Sequence, residues 1–293
     1  MPSRMAAPVA SPGCSSISKP QPEDVTRLHP LDRAYGLGRS LWMYYGQVGS
    51  GRALDRFYAQ FVVPGGLCFD IGAHVGNRSR SWSRLAAKVV AVEPQPDLVR
   101  FLRWLFRRDT RVTVCAEAIA AAPGTVTLLL SPRTPTVTTG SAAFVAAASR
   151  VPSFAWVRWS ERVDVPATTL DALIAAHGLP DFVKIDVEGM EDQVLAGLSQ
   201  AVPALSFEFV PAAPASALAS LDHLERLGRY LFNVSLGESL ALEFTAWIDA
   251  PTLRLWLRDR EPDEASGDVY ACAEPGELRF WQEQQVQMAD PQA

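Results

Sequence analysis

Two short stretches of the chain carry acids where chemistry can be done. The first runs Asp70-Ile71-Gly72-Ala73-His74-Val75-Gly76-Asn77 and is followed, about twenty residues beyond its first glycine, by Glu93. The second is Lys184-Ile185-Asp186-Val187-Glu188-Gly189-Met190-Glu191. In the first, Gly72 and Gly76 permit a tight turn and close backbone approach to a ligand, because neither brings a Cβ. An acid at the spacing of Glu93 can accept hydrogen bonds from ribose hydroxyls. In the second, Asp186, Glu188 and Glu191 would gather at one strand end. Carboxylates held close together have split pKa values, so one of them can act as a general base. They could also bind a divalent cation through oxygen ligands, although no metal is assigned.

The first stretch is not the dinucleotide fingerprint, which needs G-x-G-x-x-G to seat a pyrophosphate on a helix N-terminus. Ala73 and His74 stand where the middle glycine is required. An acid ahead of the turn suits a cationic or amino-bearing ligand. S-adenosylmethionine, with an ammonium, a sulfonium and a ribose, matches both Asp70 and Glu93. An ordinary ligand-free strand–helix turn is the plainer alternative.

These residues need strands and helices to position them. Leu67–Phe69 and Val89–Val92 are short apolar runs with a helical stretch, Asn77–Ala86, between them. Such alternation predicts a parallel sheet covered by helices, with ligands beyond the carboxyl ends of the strands. Further strands are predicted at 112–114, 125–130 (a hairpin or edge strand), 163–166, 182–187, 204–210, 230–236, 240–244 and 269–273. Leu31–Phe61 shows helical spacing in two segments broken at Gly49-Ser50-Gly51 and is read as two helices packed on the sheet. The sharper alternative makes Trp42, Tyr44 and Tyr45 part of a substrate-pocket wall. Asp97 is a plausible N-cap for the helix carrying Leu98, Phe101, Leu102 and Leu105, with Arg100, Arg103, Arg107 and Arg108 on a solvated face. Thr169 is expected to cap the helix through Leu173. Residues 131–162 lose all pattern and are read as a lid beside the site, with disorder as the alternative. Trp247–Arg258 is ambiguous, and Phe280 and Trp281 fall in a C-terminal helix or tail.

Glu208 interrupts the apolar run Leu205–Val210. A buried carboxylate without a partner is costly, so Glu208 needs a partner or a function. Lys184 is a charge partner for the neighbouring acids or a member of the catalytic group. Glu191 reads as a favourable acid in the first turn of a helix, whereas Asp186 and Glu188 read as functional.

The wider composition limits the function classes. Apolar residues make up 48% of the 293 residues and charged residues 20%, the balance of a globular protein. The net charge of −5 gives no basis for phosphate-driven nucleic-acid binding. Cys14, Cys68, Cys115 and Cys272 are scattered, without metal or disulfide spacing, and read as reduced thiols of a cytoplasmic protein. No apolar run reaches the roughly eighteen residues of a membrane span. Residues 1–24, rich in Pro, Ser and Ala, read as a disordered leader, followed by a helical segment at 25–64 and one domain over 65–293.

Together the stretches 69–77, Val92-Glu93-Pro94 and 183–191 resemble the FkbM-type family of S-adenosylmethionine-dependent methyltransferases. Glu117-Ala118-Ile119, Gly140-Ser141 and Glu208-Phe209 add to the likeness, which covers roughly 39–209. The resemblance implies an α/β fold with a Rossmann-like, seven-stranded, mostly parallel sheet. It also implies S-adenosylmethionine as methyl donor and O-methylation of a hydroxyl on a sugar, glycolipid or natural product. Position by position, it implies that Asp70, Gly72, Ala73, His74, Gly76 and Asn77 surround the methionine part of the donor. Glu93 would hold the ribose, and Glu117 with Ala118 would line the adenine. Asp186 and Glu188 would face the methyl group and acceptor, with Glu208, Lys184 or His74 in support. An NAD-dependent oxidoreductase on a similar sheet and a non-catalytic S-adenosylmethionine-binding protein are the alternatives. Acceptor identity and oligomeric state do not transfer.

Overall fold

The computed structural model describes residues 30–47 and 49–273. The expected leader at 1–24 and the tail holding Phe280 and Trp281 lie outside the described residues. Helices α1 (Pro30–Tyr45) and α2 (Ser50–Tyr58) open the described chain. Then come β1 (Leu67–Ile71), α3 (Asn77–Arg84), β2 (Lys88–Val92), α4 (Pro96–Leu105) and β3 (Val112–Cys115). A smaller unit follows: β4 (Ala118–Ile119), β5 (Gly124–Leu130), α5 (Ala142–Ala148) and β6 (Glu161–Thr168). The chain finishes with α6 (Leu170–His177), β7 (Phe182–Ile185), α7 (Glu191–Ala196), β8 (Ala204–Phe209), α8 (Pro214–Leu227), β9 (Tyr230–Leu236), α9 (Ala250–Arg258) and β10 (Gly267–Ala273).

Seven strands form the main sheet in the order β3-β2-β1-β7-β8-β10-β9. The first five are parallel, and β10 runs antiparallel to both β8 and β9. The chain leaves the sheet after β1 toward one edge and returns at β7 on the other side of β1. That reversal makes the crevice beyond the carboxyl ends of β1 and β7 a ligand site. Strands β4, β6 and β5 make a separate three-stranded sheet, so the expected hairpin at 125–130 is not an edge of the main sheet.

Both faces are covered, which explains why the strands read as near-continuous apolar runs. Phe69, Ile71, Val183, Ile185, Leu205 and Phe207 point to one face and pack with Leu170, Val194, Leu195, Leu221 and Leu253 from α6, α7, α8 and α9. Cys68, Val89, Phe182, Ala204 and Tyr270 point to the other and pack with Leu54, Phe57 and Tyr58 of α2 and Trp82 of α3. Phe61 stacks on Tyr270 with ring centroids 4.8 Å apart. The expected packing of the 31–61 helices on the sheet is thus realised through α2.

Several sequence expectations are corrected. Residues 131–162 are not patternless: a 3-10 turn at Pro135–Val137, α5 capped by Ser141, and a second 3-10 turn at Pro152–Phe154 occupy them. In α5 only Phe144 and Ala148 are buried among alanines, so no amphipathic period announced a helix that its Ser141 cap and that packing hold in place. Residues 240–244 form no strand; Phe244 N instead donates to the Asn233 side chain at 3.0 Å. Gln95, not Asp97, occupies the α4 N-cap position, because Pro96 starts that helix, and Asp97 pairs with Arg33 and Arg100. Strand β7 ends at Ile185, two residues early, and Asp186 makes the last bond to β1, its N donating to the Ile71 carbonyl at 2.9 Å. Thr169 does cap α6, accepting from Ala172 N at 3.1 Å. No helix among the described residues is long and apolar enough to cross a membrane.

Candidate active site

A cavity of about 260 Å³ lies at the carboxyl ends of β1, β2 and β7. Its floor is the β1–α3 turn. Gly72 has φ +83°, and a Cβ there would lie 1.9 Å from the Asp186 carbonyl oxygen. Only glycine lets the β1 turn and the β7 end touch. Gly72, Ala73, His74 and Asn77 line the cavity, whereas Gly76 does not. A Cβ on Gly76 would instead meet Leu102 and Phe106, so this glycine serves packing of α3 against α4.

Asp70 ends β1 beside the cavity, but its carboxylate is engaged: Oδ2 accepts from Ser79 N at 3.0 Å and from the Ser79 hydroxyl. It therefore ties the turn to the first turns of α3. Burial holds its pKa above the ordinary carboxylate value, against the opposing Ser79 hydrogen bond. Glu93 lines the cavity at the end of β2. Its Oε2 accepts from His74 N at 2.9 Å and its Oε1 from Gln95 N at 2.8 Å. Burial pushes it up to about 7 despite those two bonds. His74 is in the left-handed region with φ 49°, and Ser40 Oγ lies 3.2 Å from its Nε2. Burial lowers the imidazole to about 4, so it is neutral at pH 7. Glu117 and Ala118 complete one end, opposite Val126 and Leu128 of β5.

The other end is acidic. One carboxylate oxygen from each of Asp186, Glu188 and Glu208 falls within 4.8 Å of the others, a spacing that also permits a shared divalent cation. Lys184 does not line the cavity; its buried ammonium lies 3.1 Å from Asp186 and 2.9 Å from Asp268. It is a positioning charge, which corrects its place among groups in contact with substrate. The carboxylates are driven apart electrically. Burial alone would raise Asp186, but Lys184 and Arg78 outweigh it and hold the group below its ordinary value. Burial, then the Asp186 and Glu191 charges, push Glu188 well up. Burial and the Glu188 charge do the same to Glu208, whose Oε2 is sealed from solvent without a hydrogen-bond partner among the described residues. Glu191 opens α7 and accepts from Gly189 N at 3.1 Å and from the Ser216 hydroxyl at 2.9 Å. It holds the loop, as a first-turn helix acid should.

Part of the wall comes from α1, which only the alternative reading of that segment offered. Tyr44 lines the cavity and meets His74 edge-on at 5.6 Å, while Trp42 is 76% exposed and Tyr45 bonds the Val75 carbonyl. The pocket-wall alternative therefore holds for Tyr44 and fails for Trp42. Arg78, Gln95, Glu238 and Asp268 also line the cavity. Arg78, adjacent to Asn77, and Asp268, an acid at the mouth of an apolar strand, were visible signals. Glu238 had none.

Residues 70–223 match the methyltransferase FkbM domain, and the chain belongs to that family. It is therefore an S-adenosylmethionine-dependent methyltransferase, and the oxidoreductase alternative falls. Among solved structures, the chain is similar to a TehB-like S-adenosylmethionine-dependent methyltransferase from Corynebacterium glutamicum (12% identity, 82% of this chain and 97% of that one, TM-score 0.43). It is also similar to precorrin-6Y C5,15-methyltransferase from Geobacter metallireducens (12%, 75% and 86%, TM-score 0.41). A third is an O-methyltransferase from Bacillus cereus in complex with S-adenosylhomocysteine (12%, 86% and 94%, TM-score 0.38). Likenesses this distant carry no argument about function. No curated protein matches the chain.

The donor set fits S-adenosylmethionine. A glycine turn admits the ligand backbone-close, Glu93 brings to the end of β2 a carboxylate of the kind that accepts from ribose hydroxyls, and among the described residues the buried Glu208 Oε2 has no hydrogen-bond partner and is left for a ligand.

Proposed function

We propose that the protein is an O-methyltransferase acting on a hydroxyl of a sugar, glycolipid or natural product, with Asp186 as general base. The observation that carries this reading is the convergence of Asp186, Glu188 and Glu208 at one end of the cavity, with Asp186 alone fixed by Lys184. Groups whose environments separate their pKa values divide the acid and base roles between them. Asp186, held below its ordinary pKa, is the carboxylate placed to accept a proton, while Glu188 and Glu208 are pushed toward the protonated form, in which they donate hydrogen bonds to an acceptor.

The remaining residues orient the donor. Glu93 holds the ribose hydroxyls, and Glu117 and Ala118 flank the adenine. The backbone of Gly72, Ala73 and His74, with Asp70 and Asn77 beside it, surrounds the methionine portion. S-Adenosylmethionine, when bound, supplies an activated methyl carbon and departs as a neutral thioether. Asp186 would take the proton of the acceptor hydroxyl as its oxygen receives the methyl group. Alignment of the two reactants supplies several kcal/mol of the acceleration; the base contributes a factor of about 10²–10⁴.

The test combines ligand binding with variants. S-Adenosylmethionine should raise the melting temperature by mass action and NAD should not. Asp186→Asn should lower kcat by about 10²–10⁴-fold with S-adenosylhomocysteine affinity retained. Wild-type turnover in that variant would remove Asp186 from the role. Failure of every hydroxylated acceptor to be methylated would sink O-methylation.

A further inference from the structure

Beside the donor cavity runs a groove of about 1060 Å³, bounded by α1, α2, α3 and the 238–242 loop. The two spaces are neighbours with a common wall, because Tyr44, Asn77 and Glu238 line both. They meet at the acidic end: Asp186 and Glu188 are close enough to act electrically on Tyr44. A site for a drug-sized ligand holds roughly 300–1,000 Å³, so the groove exceeds what a single sugar ring fills.

Its charge is the opposite of the cavity's. Arg56 and Arg80 line the groove, both exposed and without an ion pair among the described residues. Arg80 instead lies over the Tyr45 ring, 5.7 Å from its centroid. Arg84 is neutralised by Asp55 at 2.6 Å, and Glu238 by Arg78 at 3.1 Å. Two uncompensated guanidinium groups thus face a groove on a protein whose net charge is −5. The cavity offers an anion no free cation among the described residues, because Lys184 is held by Asp186 and Asp268 and Arg78 by Glu238. The groove attracts one, and guanidinium groups bind phosphate through paired charge-assisted hydrogen bonds.

We propose that this groove is the acceptor channel and that the acceptor is a phosphorylated sugar or glycan. Arg56 and Arg80 hold its phosphate while its reacting hydroxyl reaches past Tyr44 to Asp186. The uncompensated guanidinium groups set the polarity, holding the phosphate in the groove and leaving the hydroxyl to face the cavity. The proposal rests on the reading of the protein as a sugar O-methyltransferase and adds the anionic group that reading lacks.

The experiment is calorimetric titration of the S-adenosylhomocysteine-loaded full chain with matched pairs: glucose and glucose 6-phosphate, and a disaccharide with and without a phosphate. The phosphorylated members should bind at least tenfold more tightly, with an advantage that shrinks in high salt. The double variant R56Q/R80Q should erase the advantage while S-adenosylhomocysteine affinity is unchanged, and R56K/R80K should restore much of it. Equal binding within each pair, or an advantage that survives in R56Q/R80Q, overturns the proposal. Methyl transfer assayed on the same pairs separates the two ideas. Methylation of the sugars without preference for phosphate sinks the channel assignment alone. A phosphate preference lost in R56Q/R80Q, with no sugar methylated, sinks the sugar O-methylation reading and leaves the phosphate recognition standing.

Discussion

The ammonium of Lys184 donates to Asp268 Oδ1 across 2.9 Å, joining β7 to a residue 84 positions later that opens β10. The same nitrogen lies 3.1 Å from Asp186, so one fully buried cation holds two acids at the rim of the active site. Burial opposes the charge on Lys184, yet the two carboxylates raise its pKa above the ordinary value.

Removing that cation exposes its double role. Lys184→Met leaves Asp186 and Asp268 without their shared partner, a loss worth about 3–5 kcal/mol, measurable as a lowered denaturant midpoint. Asp186 loses the charge that holds its pKa down. The acid limb of kcat/KM, which reports ionisation of the base, should therefore move to higher pH. An unchanged limb would separate Asp186 from the base role.

Glu93 makes the donor-free protein sensitive to pH. Its pKa is about 7 when folded and about 4.3 when unfolded. Between these values the folded state binds more protons, so this group's contribution to stability falls as pH rises from about 4 to 7. Glu93→Gln should flatten that part of the stability–pH curve, read from denaturation at pH 5 and pH 8. It should also weaken S-adenosylmethionine binding by removing the acceptor for the ribose.

His74 should be silent in the neutral range. Buried and lowered to about 4, its ring stays neutral through pH 6. Its folded pKa lies below the unfolded value, so its contribution to stability is lost as pH falls from about 6.5 to 4. A proton NMR titration of the ring should show no inflection above pH 5. An inflection near 6.5 would mean the ring is solvated and outside the wall described here.

Gly72→Ala should cost about 3 kcal/mol or more, because a left-handed φ and a backbone clash act at once. The added Cβ would sit 1.9 Å from the Asp186 carbonyl oxygen. Thermal melting reads the effect, and S-adenosylhomocysteine should restore little of it, since the turn that binds the donor is the part displaced.

Much of this site was written locally. The order strand, glycine turn, helix, strand, acid follows from short-range pattern, and each acid stands at a strand end that its own neighbours define. Asp70, Glu93, Asp186 and Glu188 could therefore be found by reading along the chain, as could the sheet they decorate and the cap at Thr169. Helix α5 and the early end of β7 were hidden, one because alanines leave no amphipathic period and the other because the apolar–polar alternation runs on through Val187 while the strand ends at Ile185.

What only the tertiary structure decided is the pairing of groups distant in sequence. No local signal puts Lys184 against Asp268, Tyr44 against His74, or Arg78 against Glu238. Nor does one say that Gly76 faces Leu102 and Phe106 rather than the ligand. Those contacts are made when the sheet reverses direction and α1 closes over its crevice. Burial and neighbouring charge then separate three chemically similar carboxylates, holding Asp186 below its ordinary pKa and pushing Glu188 and Glu208 well above theirs.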